Sequence, residues 1–169
     1  MLVLSDIHFA TEPLRRVVAT GETLLILGDL VNLTDYRTGE GAVADVLGME
    51  FARASATARG AGDYQQMRGL WLDTVGDRID EIRAAIGEAI DAQYASVSEA
   101  LEGGHGYVIH GNVDRPGSLE RALPPGYEYV HAIVDDHSRL AYAELLDDER
   151  AETVTAFVTR AFAFFAEHG

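Results

Sequence analysis

Three short apolar runs divide the chain, at residues 2–4, 24–27 and 107–109. Each is rich in Leu, Val or Ile and is too short for a helix, which is typical of strands buried on both faces of a parallel sheet. Polar and glycine residues follow each run directly. The pattern therefore predicts an α/β fold with a mostly parallel sheet, whose strands end at one common edge.

The interval between the second and third runs reads as a helical insertion of about residues 42–102. A first helix is expected over 42–58, and Asp63 with Gln66 forms a capping box that opens a second helix through Trp71. A third helix begins near Asp77 and carries one stripe at helical spacing, made of Ile79, Ile82, Ile86, Ile90, Gln93, Val97 and Leu101. The insertion is either a cap over a site or a plainly packed helical hairpin, in which Trp71 and Tyr94 are packing residues.

The last part of the chain predicts a β-hairpin followed by a helix. Residues 129–134 and 140–145 alternate as strands around Asp135 and Asp136, which suit a turn. Residues 148–167 form an amphipathic pattern with phenylalanines on one side, and Glu149 and Glu152 suit the start of that helix.

Ligand-type side chains follow the predicted strands at the points where the strands end. Asp6 and His8 follow the first, Asp29 follows the second, and Asn112 and Asp114 follow the third. Ligand-binding sites of α/β proteins commonly lie at the carboxyl ends of the strands. Carboxylate, imidazole and amide groups together suit Mn²⁺, Fe or Zn²⁺, and Asp29 has two oxygens with which to bridge two ions. The spacing predicts a site for one or two divalent transition metal ions.

The motifs Asp-x-His, Gly-Asp and Gly-Asn-x-Asp occur in the order seen in calcineurin-like metallophosphoesterases, and residues 1–126 resemble that family. The resemblance implies that Asp6 and His8 bind a first metal, Mn²⁺ above all, that Asp29 bridges, and that Asn112 binds a second metal. It further implies that Asp114 acts near the leaving group. The expected activity is hydrolysis of a small-molecule phosphate ester by a truncated, half-sandwich version of the family's fold.

Three further residues receive supporting or uncertain roles. The family's Gly-Asp motif continues toward another asparagine or acidic position, to which Asn32 corresponds better than Asp35. His110 precedes the Gly-Asn turn on a strand, and alternation turns it away from Asn112, so a supporting or core role is expected.

Residues 127–169 resemble a different family, the integrase core of insertion-sequence transposases, mainly through the string at 134–139. The three separated carboxylates that the resemblance would require are absent, so Asp135 and Asp136 are expected to form only a turn. The histidines that complete the metal shells of phosphoesterases are also absent, and His131 or His137 is a weak substitute. We expect a mononuclear or weakly dinuclear site, with phosphodiesterase activity far below that of an intact member of the family.

Two alternatives to an impaired hydrolase stay open: a transposase-derived protein that acts in DNA integration, and a non-catalytic remnant. The composition argues against the first, because 28 acidic residues outnumber 13 basic ones and the net charge of −15 repels nucleic acid. The 169 residues, without cysteine and without a run of about 18 apolar residues, predict a cytoplasmic protein that does not enter membranes. Oligomers are expected through an uncovered sheet face or the helical insertion.

Overall fold

The computed structural model describes residues 1–135, 137–148 and 150–168. The strands are β1 (Leu2–Leu4), β2 (Leu24–Ile26), β3 (Gly106–Val108), β4 (Tyr127–Val134) and β5 (Ala141–Leu145). The helices are α1 (Thr11–Val18), α2 (Ala42–Leu47), α3 (Met49–Gly60), α4 (Tyr64–Val75), α5 (Ile79–Leu101), α6 (Pro116–Ala122) and α7 (Ala151–His168), with a 3₁₀ turn at Gly76–Arg78. No helix in the described ranges is both long enough and apolar enough to cross a membrane.

The five strands form one sheet in the order β1-β2-β3-β4-β5. The first four run parallel, and β5 returns antiparallel to β4. The α/β class with a mostly parallel sheet is therefore confirmed, as is the hairpin around Asp135. The predicted division at residue 126 lies between β3 and β4, which are paired neighbours, so residues 127–145 extend the sheet of the preceding segment.

Alternation along the strands sorts their side chains onto two faces. Leu24, Ile26 and Val108 are fully buried in the core together with the apolar stripe of α5. On the other face, Val3 is 56% exposed and Val134 is 59% exposed. Some apolar side chains are thus exposed on this face of the described sheet, and oligomers through it stay a prediction.

The helical insertion has one more break than the sequence predicted. A single helix was expected over 42–58, but α2 ends at Leu47 and α3 begins at Met49, because Gly48 lies between them with φ of 87°. The cap at Asp63 is confirmed, since its carboxylate accepts the Gln66 N–H at 2.8 Å. The stripe of α5 is confirmed as core from Ile82 onward, while Ile79 is 44% exposed.

Two short helices, α1 and α6, were not predicted. Each fixes the chain on the core through one leucine, Leu14 in α1 and Leu119 in α6. The expected C-terminal helix is confirmed as α7, which begins at Ala151, and Asp148 precedes it and accepts the Arg150 N–H at 3.0 Å. Glu149 and Asp136 lie outside the described residues.

The terminal helix docks on the hairpin of its own chain. Phe157 of α7 is buried, and its ring lies 5.7 Å from the rings of both His131 and Tyr142, centroid to centroid. Aromatic contacts of this kind add to the area burial that holds a helix on a sheet. The segment from β4 to α7 therefore covers part of the face on which the other core side chains lie.

Candidate metal centre

Three ligand-type side chains meet at the carboxyl ends of β1 and β2. One ligand atom each of Asp6, His8 and Asp29 lies within 4.8 Å of the other two. The imidazole Nε2 of His8 is 3.8 Å from Oδ1 of Asp6. Asp6 and His8 are exposed and Asp29 is half-buried, so the group is open to solvent on one side. The structure brings together the predicted first-metal ligands and the predicted bridging carboxylate, and we call them the metal triad.

The backbone of the triad is held in an uncommon conformation. Asp6, His8 and Asp29 all have positive φ, at 51°, 44° and 53°. Residues other than glycine seldom occupy this left-handed region, and they do so mainly where surrounding contacts or function require it. The contacts are present: the His8 N–H donates to the Asp29 carbonyl at 2.7 Å, and the Phe9 N–H donates to the Leu30 carbonyl at 2.8 Å. These two hydrogen bonds tie the loop after β1 to the loop after β2.

Close approach of two loops explains the glycines in the motifs. A Cβ on Gly28 would lie 2.0 Å from the backbone nitrogen of Gly111, and Gly28 has φ of 85°. A Cβ on Gly111 would lie 2.0 Å from Oδ1 of Asp29. Both positions therefore need a residue without a side chain. The Gly-Asp and Gly-Asn motifs place Asp29 against the loop that carries Asn112.

Asp114 connects the turn that carries Asp29 to the loop that carries Asn112. Its Oδ2 accepts the N–H groups of Asp29 and Gly111 at 2.8 and 2.9 Å, and its Oδ1 accepts the Leu30 N–H at 3.0 Å and the Tyr94 hydroxyl at 3.2 Å. Both carboxylate oxygens are thus occupied by donors of the fold. The geometry favours a positioning role for Asp114, and its predicted role at a leaving group stays a prediction.

The side chain of Asp29 also accepts a hydrogen bond from the loop after β3. The Val113 N–H donates to its Oδ1 at 3.2 Å. Tyr94 completes the connection to α5, because its hydroxyl also accepts the Arg115 N–H at 2.7 Å. Tyr94 is 2% exposed, and burial is the main cause that raises its pKa above the ordinary value of a tyrosine. The prediction that Tyr94 is a packing residue is confirmed. Its hydroxyl also forms hydrogen bonds, which the apolar stripe of α5 did not indicate.

The loop after β2 is fixed by Gln93, the polar member of the α5 stripe. Gln93 is only 5% exposed, and its side chain accepts the Asn32 N–H at 2.7 Å and donates to the Asn32 carbonyl at 3.1 Å. Asp35 caps a turn in that loop. Backbone N–H donation from Thr38 and then from Arg37 lowers the pKa of Asp35.

A cleft of about 680 Å³ opens beside the triad. Five of the predicted residues line it, namely His8, Asp29, Asn32, Asp35 and Asn112. The cleft therefore brings Asn112 to the same space as two triad residues. Its helical side includes Arg59 from α3 and Trp71 from α4, so the insertion forms part of the wall. Trp71 packs edge-on against Phe51, with ring centroids 5.0 Å apart, and also faces the cleft.

The remaining histidines lie elsewhere. The ring of His110 lies 5.0 Å from the ring of Tyr129, and burial lowers its pKa, which agrees with the expected supporting or core position. His105 is hydrogen-bonded to Thr23 at 3.0 Å, and His131 packs against α7. Neither they nor His137 belong to a group of metal-ligand type in the part of the chain that the structure describes.

Three charged cleft residues were not predicted as part of the site: Arg37, Arg59 and Arg115. They come from the loop after β2, from α3 and from the residue that directly precedes α6. The guanidinium carbon of Arg59 lies 5.7 Å from the centre of the Tyr36 ring, within reach of a cation–π interaction. No spacing in the sequence links the three arginines, because only the folded insertion brings them to one cleft.

No family model, curated protein or solved structure matches this chain.

Proposed function

We propose that this protein is a metal-dependent phosphoesterase-like hydrolase of low turnover that acts on a small-molecule phosphate ester. The observation that carries the proposal is the metal triad, whose three ligand atoms lie within 4.8 Å of one another beside a cleft lined by arginines. The resemblance of the strand-end motifs to calcineurin-like metallophosphoesterases supports it, and so does their common position at one edge of the sheet.

The donor set fits a divalent transition metal. Two carboxylates and one imidazole form a mixed oxygen and nitrogen site that suits Mn²⁺ first, and Fe or Zn²⁺ as well. Asp6, His8 and Asp29 would hold the ion, and Asn112, which lines the same cleft, has a side-chain oxygen that would be a further ligand. When bound, such an ion polarises a phosphate oxygen and lowers the pKa of bound water.

The chain's own residues supply position and charge. The Val113 N–H fixes one carboxylate oxygen of Asp29, and Asp114 fixes the backbone that carries it. These contacts position Asp29 before a ligand arrives, which lowers the cost of ordering this carboxylate. The cleft arginines offer planar guanidinium groups, which suit phosphate oxygens.

A single ion is the proposed occupancy. Asp6, His8 and Asp29 are the one group of three metal-ligand side chains found among residues 1–135, 137–148 and 150–168. A second ion would share Asp29 and take Asn112, which is a sparse donor set. We therefore propose slow, mononuclear catalysis, within a half-sandwich related to the phosphoesterase sheet.

The test is metal-dependent turnover of two chromogenic substrates, p-nitrophenyl phosphate and bis(p-nitrophenyl) phosphate. The informative variant is Asp29→Asn, because asparagine keeps an oxygen that can accept the Val113 N–H but removes the charge. Asp73→Asn is the matched control, since Asp73 is exposed on α4 and does not line the cleft.

Turnover of either ester that needs Mn²⁺, stops with a chelator, and is lost in Asp29→Asn but kept in Asp73→Asn would support the hydrolase. Turnover that survives Asp29→Asn would come from another source and would contradict the proposal. Metal binding without turnover of either ester would leave a metal-binding protein and exclude the hydrolase.

A further inference from the structure

The three cleft arginines are unusual in a protein of this charge. All 13 basic residues are arginines, and they are outnumbered by 28 acidic ones. Several arginines elsewhere pair with carboxylates, for example Arg15 with Glu99 and Arg160 with Glu144. Within the described part of the chain, none of Arg37, Arg59 and Arg115 forms an ion pair within 4.0 Å. We call these three residues the arginine wall.

The charge of the cleft indicates the charge of its ligand. When a divalent ion is bound, the carboxylates of Asp6 and Asp29 cancel its charge, so the metal centre is neutral overall. The arginine wall brings three positive charges to the same cleft, and Asp35 brings one negative charge. Among the side chains that line the cleft or belong to the metal triad, two positive charges are left without an opposite charge. A ligand with two negative charges would neutralise them, whereas a simple phosphodiester carries only one.

The cleft also has apolar and aromatic lining residues. Trp71, Met67 and Tyr36 line the cleft on the side of the insertion. Trp71 is held in place, because its Nε1–H donates to Oγ of Ser55 at 3.1 Å. Sites for small organic ligands typically have volumes of 300–1,000 Å³ with apolar walls and a few placed polar groups, and the cleft of about 680 Å³ falls within that range.

We propose that the substrate is an organic ester with at least two phosphate charges, whose apolar or aromatic body packs on Trp71 and Tyr36 while the arginine wall binds its phosphate oxygens. This inference rests on the proposed function for the reaction, but the binding site itself does not depend on turnover. The helical insertion then selects the substrate, since Arg59, Met67 and Trp71 all come from it.

Binding is measured through Trp71, which is the only tryptophan in the chain and lines the cleft. The probes are adenosine, adenosine 3′,5′-cyclic monophosphate and adenosine 5′-monophosphate, which share one flat ring and carry zero, one and two negative charges near pH 8. Rapid mixing in the presence of Mn²⁺ records the fluorescence change before any turnover. The variants are Arg59→Gln and Arg115→Gln, with Arg68→Gln as the control on the same insertion, because Arg68 is exposed and does not line the cleft.

The monophosphate should bind tightest, the cyclic diester more weakly and adenosine weakest. Each cleft variant should weaken monophosphate binding about tenfold, since a hydrogen bond to a charged group contributes on that scale. Arg68→Gln should bind like the unmodified protein. Equal affinity for the three probes, or unchanged binding in both cleft variants, would overturn the inference.

The two proposals can fail separately. Arginine-dependent binding of the dianion without turnover of any ester would leave the binding site established and the hydrolase rejected. Metal-dependent turnover with the same kcat/KM for singly and doubly charged esters, unaffected by Arg59→Gln and Arg115→Gln, would leave the hydrolase and reject this substrate class.

Discussion

Replacing Asp114 by asparagine tests whether this carboxylate holds the candidate site together. In the folded protein its two oxygens accept four hydrogen bonds, two at each oxygen. Asparagine keeps one oxygen and replaces the other by an NH₂ group, which can only donate. The fold can best tolerate the NH₂ group at the position that now accepts from Leu30 and Tyr94, because the Tyr94 hydroxyl can turn and accept instead.

The Leu30 N–H then has no acceptor, and Leu30 is fully buried. A buried donor left without a partner costs about 1–3 kcal/mol. With a urea m-value of about 2 kcal/mol per molar, the unfolding midpoint should fall by about 0.5–1.5 M. Loss of charge-assisted bonds to Asp29 and Gly111 acts in the same direction.

The assay is urea unfolding followed by Trp71 fluorescence, with Asp73→Asn as the control for an exposed aspartate. The control should keep its midpoint within about 0.2 M, since surface substitutions usually change stability by less than about 0.5 kcal/mol. An unchanged midpoint in Asp114→Asn would refute the positioning role. In that case the hydrogen bonds to Asp114 would not determine the conformation of the Asp29 turn.

Three further changes have defined outcomes. Gly28→Ala should lower the free energy of unfolding by more than about 2 kcal/mol in urea, because the new Cβ meets the Gly111 backbone; wild-type stability would contradict the close approach. Gln93→Leu should cost about 1–3 kcal/mol, since it leaves the Asn32 N–H unpaired, and an unchanged urea midpoint would contradict it. Hydrogen bonds from Arg160 and then Tyr142 lower the pKa of Glu144 to about 2. Because that pKa is depressed, the stabilisation from Glu144 is present above the ordinary glutamate pKa and is lost as the pH falls toward 2. Glu144→Gln should therefore make the Tm depend less on pH in that window. A Tm profile against pH that superimposes on that of the unmodified protein would contradict this prediction.

The sheet and the triad were predictable because their signals are local. Short apolar runs followed by Asp6, His8 and Asp29 specify strand ends, and parallel strands bring their carboxyl ends to one edge. The hairpin and α7 also follow from alternation and helical spacing, which operate within about 20 residues. Each of these features depends on neighbours along the chain.

Long-range features were not predictable in the same way. Gln93 and Tyr94 lie within or beside an apolar stripe, and nothing in that pattern shows that they bond to loops 20 or 61 residues away. The arginine wall combines side chains from three elements. Gly48 ends a helix that the apolar periodicity alone would continue. A single glycine within a helical pattern does not by itself predict a helix end.

Short helices were missed for a related reason. The helix α1 has eight residues and α6 has seven, so each offers one or two turns of pattern. Isolated helices of that length are not stable in water, and tertiary contacts decide whether they form. In this protein the contacts come from Leu14 and Leu119, which are buried against the core.

The most direct measurement of the central claim is thermal unfolding with and without Mn²⁺, for the unmodified protein, Asp29→Asn and Asp73→Asn. A ligand that binds only the folded state at 100 times its Kd stabilises that state by about 2.7 kcal/mol, so Mn²⁺ should raise the Tm of the unmodified protein and of Asp73→Asn by several degrees. Asp29→Asn should show no such rise. An equal rise in all three proteins, or no rise in any, would contradict a metal centre at Asp6, His8 and Asp29.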